Sequence, residues 1–142
     1  MEDHELQWRT APRQGNFPDC WLVCVLESVW RKNMARLQRM IHKLPCGRWE
    51  VRLAGGIVLH IWATFPANCA TPLWAALIEK AFSIIRGSYM NMGPATIETA
   101  CQVLFGSDYR VYGSTGIPIA VVGEPGKLHS LAAVQVMDLH LL

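Results

Sequence analysis

The chain has 142 residues, the size of one ordinary domain: enough to bury one core and too few for two independent ones. Half of it is apolar (51%) and 17% is charged, which excludes a disordered or fibrous chain. Thirteen Lys and Arg against 11 Asp and Glu leave a formal net charge of +2, too little to argue for nucleic acid by bulk electrostatics.

Residues 1–13 read as a polar lead-in, with Pro12 as its last punctuation. Met1-Glu2-Asp3-His4-Glu5 is acidic and polar. No secretory signal is expected, and a cytoplasmic setting is, with delivery by another route left open. Gln14-Gly15-Asn16-Phe17-Pro18-Asp19 is loop-like. From Cys20 to about Asn33 the pattern predicts a buried helix. Trp21, Leu22, Val25, Leu26, Val29 and Trp30 keep one apolar face, Asp19 is placed as N-cap, and Arg31-Lys32 suit the negative C-terminal end. A second helix or an irregular basic segment is expected over Met34 to Lys43. The local basic residues Arg31, Lys32, Arg36, Arg39, Lys43 and Arg48 read as a solvated face, with an anionic partner as the alternative.

A hairpin follows. Arg48–Leu53 alternates, Ala54-Gly55-Gly56 turns, and Ile57–Trp62 returns as a buried strand. Thr71 is expected to cap a helix from Pro72 to Arg86, with Leu73, Trp74, Leu77, Ile78, Ala81, Phe82 and Ile85 as its apolar stripe and Gly87 as its stop. A shorter helix is predicted from about Pro94 to Leu104. Strands are predicted at Tyr109–Tyr112, Ile117–Val122 and Leu128–Val136, and a further strand can begin at Leu139–Leu142. Helices first and antiparallel strands last argue for an α+β domain. The uncharged stretch Leu53–Ile78 is 26 residues long, but Gly55, Gly56, Pro66, Asn68 and Pro72 divide it into separate elements, so no membrane span is expected.

The five cysteines, Cys20, Cys24, Cys46, Cys69 and Cys101, are odd in number and irregular in spacing. There is no Cys-x-x-Cys and no helical His pair, so free thiols are expected, with no metal and no cofactor. Cys20 stands apart by context. It opens an apolar helix directly after a Gly/Pro/Asp loop, where unpaired N–H groups and a partial positive charge favour a negatively charged sulfur. The same groups can hold an oxyanion beside it. His129, at the start of a predicted strand, is the candidate base, because a strand end can face a helix N-terminus packed on its sheet. His60 lies in an apolar strand and reads as a satisfied core histidine. His4, His42 and His140 read as surface or terminal residues.

Two blocks carry a family resemblance. Gln14-Gly15-Asn16-Phe17-Pro18-Asp19-Cys20-Trp21-Leu22 resembles the nucleophile segment of the calpain family of papain-fold cysteine proteases. Pro72-Leu73-Trp74-Ala75-Ala76-Leu77-Ile78-Glu79-Lys80-Ala81-Phe82, followed by Arg86-Gly87-Ser88-Tyr89, resembles the family's Trp, Leu-x-Glu-Lys-Ala-aromatic and Gly-Ser-Tyr helix. The hairpin closing at Phe65-Pro66 also has a counterpart, and the resemblance spans roughly residues 14–106. It implies a papain-like fold over residues 14–142, compact or truncated at its C-terminus. It also implies Cys20 as nucleophile, Gln14 six residues before it as oxyanion donor, Asp19 as a structural cap, and Trp21 as a core and cleft-wall residue. His129 is carried over as the base without the glycine that usually precedes it. Pro18 stands where the family has glycine, and the stretch from Gly106 to His129 is shorter than in calpains. No Asn-Pro-Trp follows His129, which leaves Asp138 as the later carboxylate. The family's calcium loops have no counterpart.

The expected function is a cysteine endopeptidase acting on a protein or peptide substrate through a Cys-His acyl-enzyme, in a compact domain of the kind found in effectors and toxins. Deamidase and transglutaminase chemistry share the same nucleophile. The alternative is a catalytically impaired or truncated calpain-like domain serving as a binding or regulatory module.

Overall fold

The computed structural model describes residues 5–13, 20–66, 71–89 and 98–106 with their side chains, and the backbone of residue 97 and of 109–112, 119–124 and 127–135. Residues Cys20–Gln38 form the first helix, α1. Trp21, Leu22, Val25, Leu26, Val29 and Leu37 recur at helical spacing and are all buried. The predicted break falls at Asn33, which leaves helical geometry (φ −152, ψ 67), yet the chain resumes helix as far as Gln38. Ile41–Lys43, expected in the helical or irregular basic segment, is instead a strand, β1. Burial of Met40 and Ile41 against the core outweighs local preference there.

Strand β2 (Trp49–Arg52) and strand β3 (Val58–Ile61) form the predicted hairpin. A single 3₁₀ turn, Ala54–Gly56, joins them, with Gly55 and Gly56 at φ 75 and 76, the left-handed region glycine enters without penalty. The first sheet has the order β1-β2-β3, all antiparallel. Its inner face buries Trp49, Val51 and Ile61. Its other face corrects the reading of Ile57–Trp62 as a buried strand: Ile57, Val58 and Trp62 are exposed. An uninterrupted apolar run looks the same whether one face or both are covered.

Helix α2 (Leu73–Arg86) packs beneath β2 and β3. Trp74, Leu77, Ile78, Ala81 and Phe82 are buried as predicted, whereas Ile85, assigned to the apolar stripe, is exposed. Thr71 does not cap this helix. Pro72 occupies the cap position, and the Leu73 N–H donates to Gln7 Oε1 (3.0 Å), while Thr71 Oγ1 accepts from the Arg13 N–H. Gly87, with φ 103, ends the helix.

The lead-in also reaches the core. Leu6 and Trp8 are buried, the Trp8 ring stacks on Trp74 (centroids 5.1 Å), and Trp30 Nε1 and Trp74 Nε1 donate to the carbonyls of Trp8 and Thr10. Helix α3 (Ile97–Phe105) precedes the second sheet, β4 (Tyr109–Tyr112), β5 (Ile119–Glu124) and β6 (Lys127–Gln135), in the order β4-β5-β6 and antiparallel. The strands match their predicted positions within two residues, with a register irregularity between Val122 and Glu124. Residues 139–142 lie outside the described residues. Helix α1 packs on α3 and on β6. The chain is therefore an α+β fold, with α3 packed on β4 and β5 as well as on α1.

Candidate active site at the start of the first helix

Cys20 is the first residue of α1, half-buried, with a free thiol. A residue at that position sits over the backbone N–H groups that a helix leaves without internal partners. The following residue fixes the helix in the core. Trp21 is 1% exposed, meets Phe82 of α2 with centroids 5.7 Å apart, and has the Arg86 guanidinium 5.6 Å from its ring centroid. Those two partners belong to the second of the calpain-like sequence blocks and Trp21 to the first, so the two blocks pack against each other in space.

The thiols differ by environment. Cys24 lies one turn beyond Cys20, and burial, then the nearby Cys20 and Glu27 side chains, pushes it up to about 11. Burial, then Glu98, pushes the core Cys101 up to about 12. Both stay protonated at neutral pH and are poor nucleophiles. Cys46 is exposed in the turn between β1 and β2. Among the described residues Cys20 is the cysteine that combines a helix start with partial access.

His129 lies on β6, and β6 packs on α1, so the candidate base and the candidate nucleophile stand on adjoining elements. Gln14, Asp19 and Asp138, as well as Cys69, His4 and His140, lie outside the described residues. His60 is not a core histidine. It is exposed on the outer face of the first sheet, with Nε2 3.3 Å from Glu50 Oε1. The register explains this, since His60 opposes Glu50 on β2 and points away from the buried Ile61 and Val51. His42 is exposed, as expected, with Nε2 2.9 Å from the Arg39 carbonyl.

The contacts of Lys80, part of the second calpain-like block, were not legible in the sequence. Lys80 Nζ donates to the carbonyls of Trp62 and Thr64 and to Thr64 Oγ1 (2.7, 2.7 and 3.0 Å), tying the end of the hairpin to α2. Desolvation lowers the Lys80 ammonium below its ordinary range. Four residues of the basic cluster make contacts: Arg31 pairs with Glu27, Lys43 with Glu5, and Arg36 and Arg48 lie over the rings of Phe105 and Trp62. Among the described residues no helix is long and apolar enough to cross a membrane, and no group of three His, Cys, Asp or Glu is placed to hold a metal ion. No protein-family model and no curated protein matches the chain.

Proposed function

We propose that this chain is a papain-like cysteine peptidase domain with Cys20 as nucleophile. The observation that carries the reading is the position of Cys20 at the first residue of a buried helix whose flank packs on the strand bearing His129. In this reading His129 takes the Cys20 proton as the sulfur attacks a peptide carbonyl, then gives it to the leaving amine. The new C–S bond makes an acyl-enzyme, and water releases the acid. The Cys20 backbone N–H and the Gln14 side-chain amide donate to the oxyanion, which lowers the barrier most where the donors are fixed in advance. Asp138 is the candidate for orienting His129.

Burial of Cys24 and Cys101 supports the same assignment, because it leaves them as packing residues. The contact of Trp21 with Phe82 and Arg86 supports the resemblance, because it joins its two sequence blocks. Hydrolysis of a labelled denatured protein by the wild type and by Cys20→Ala tests the reading. Turnover is expected in the former and absent in the latter. An inert wild type that still binds the substrate points instead to the binding or regulatory module.

A further inference from the structure

The outer face of the first sheet carries apolar and charged side chains together. Successive residues on one face of β3, Val58 and His60, and Trp62 just beyond it are exposed, at 48% for Val58 and 50% for Trp62. Ile57 at the end of the turn adds a further exposed apolar side chain. On β2 the matching positions carry Glu50 opposite His60 and Arg52 opposite Val58, while Arg48 lies 5.2 Å from the Trp62 ring centroid. The lone carboxylate among them is already engaged: Glu50 Oε2 accepts from Arg52 Nε (2.7 Å), and its Oε1 lies 3.3 Å from His60. Among the described residues, two arginines against one committed carboxylate leave the face with net positive charge and an apolar strip along its edge.

Among the described residues the edge itself is open over a short stretch. Among the described residues β3 pairs only with β2. The hairpin closes with the Leu53 N–H donating to the Ile57 carbonyl, whereas the Arg52 N–H turns to the Met40 carbonyl on the β1 side. Antiparallel alternation then directs the backbone N–H and C=O of Val58 and His60 away from β2, toward the unpaired edge. The Trp62 carbonyl, next in that series, is taken by Lys80.

We propose that this edge binds an extended acidic peptide by strand addition. The peptide backbone pairs with Val58 and His60. A strand presents every second residue to one face, so on the face of Val58, His60 and Trp62 the peptide's outward side chains supply both a carboxylate that reaches toward Arg48 or Arg52 and an apolar side chain that lies against Val58 or Trp62. Main-chain pairing gives the affinity and the outer-face charges give the preference, as in other strand-addition sites. The site is independent of the peptidase reading and uses none of its residues.

The test is fluorescence anisotropy of a short labelled peptide in which every second residue is in turn Glu and Val, with Thr between them, titrated with the full chain. The controls are the same peptide with Lys for Glu, and a single-stranded oligonucleotide. Val58→Pro removes an outward N–H without breaking a ladder bond, and Ile57 already has backbone angles compatible with a following proline (φ −76, ψ 119). The proposal expects saturable binding of the Glu peptide, about tenfold weaker in Val58→Pro and in Arg48→Glu, with retained thermal unfolding in both. It also expects protection of the Val58 and His60 amides from exchange in the complex. Equal binding of the Lys peptide overturns it, as does preference for the oligonucleotide. Self-association of the chain in place of peptide binding, or binding unchanged by Val58→Pro, also overturns it.

Discussion

The Trp21 and Phe82 rings meet with centroids 5.7 Å apart and planes inclined at 55°. One residue adjoins the candidate nucleophile and the other lies in the middle of α2, so this contact ties the start of α1 to the element that supports the first sheet. Both side chains are almost wholly buried. Phe82→Ala should cost about 3–5 kcal/mol of unfolding free energy through lost burial and the cavity it leaves. Urea denaturation measures this, and a loss below about 1 kcal/mol would show that the site collapses freely.

The four described thiols should react unequally. Cys24, pushed up to about 11, and Cys101, pushed up to about 12, should resist iodoacetamide in the native protein at neutral pH. Peptide mass mapping should place the first adducts on Cys20 and Cys46. Alkylation of all four should follow in denaturant, where burial no longer separates them.

Gln7 holds the N-terminus of α2 from a distance in sequence, accepting from the Leu73 N–H while its own backbone has φ 62. Gln7→Ala should destabilise by about 1 kcal/mol through loss of that acceptor. Gln7→Gly should lose less, because glycine relieves the left-handed backbone as the cap is removed. Thermal unfolding of the two variants checks the order, and equal losses would remove the strain argument.

Glu50 predicts an acid limb in stability. The Arg52 hydrogen bond, with His60 as a weaker contributor, holds its carboxyl below the ordinary range against an opposing desolvation. A carboxylate depressed in the folded state stabilises above its unfolded-state pKa and loses that contribution as pH falls through the folded value. Wild type should therefore exceed Glu50→Gln in stability at neutral pH, and the two curves should converge in strong acid. A difference that does not change with pH would contradict this.

Much of the fold was legible because periodicity is a local property. The helix beginning at Cys20, the Ala54-Gly55-Gly56 hairpin, the helix ending at Gly87 and the three strands of the last third all follow from apolar spacing and turn residues. What failed depended on partners distant in sequence. Ile41 became strand because β2 pairs with it, and His60 faces outward because the register sets it opposite Glu50. The cap of α2 comes from Gln7, 66 residues away, and no local pattern around Thr71 announces it. Leu6 and Trp8 alternate with polar neighbours in a segment whose composition reads as surface, and that short alternation was the available sign of their burial. At the candidate site, the helix start at Cys20 was readable, while the packing of α1 on β6 needed the fold.

The assignment of Cys20 and His129 as one catalytic pair is tested most directly with a peptidyl epoxide that alkylates an active cysteine nucleophile. Mass mapping of the adduct should be combined with peptide turnover in wild type, Cys20→Ala, His129→Ala and Cys46→Ser. The account predicts a single adduct on Cys20 in wild type and in Cys46→Ser. It predicts loss of both turnover and adduct in Cys20→Ala and His129→Ala, with their thermal unfolding retained. Turnover that persists in Cys20→Ala, or an adduct on Cys20 that forms equally fast in His129→Ala, would contradict it.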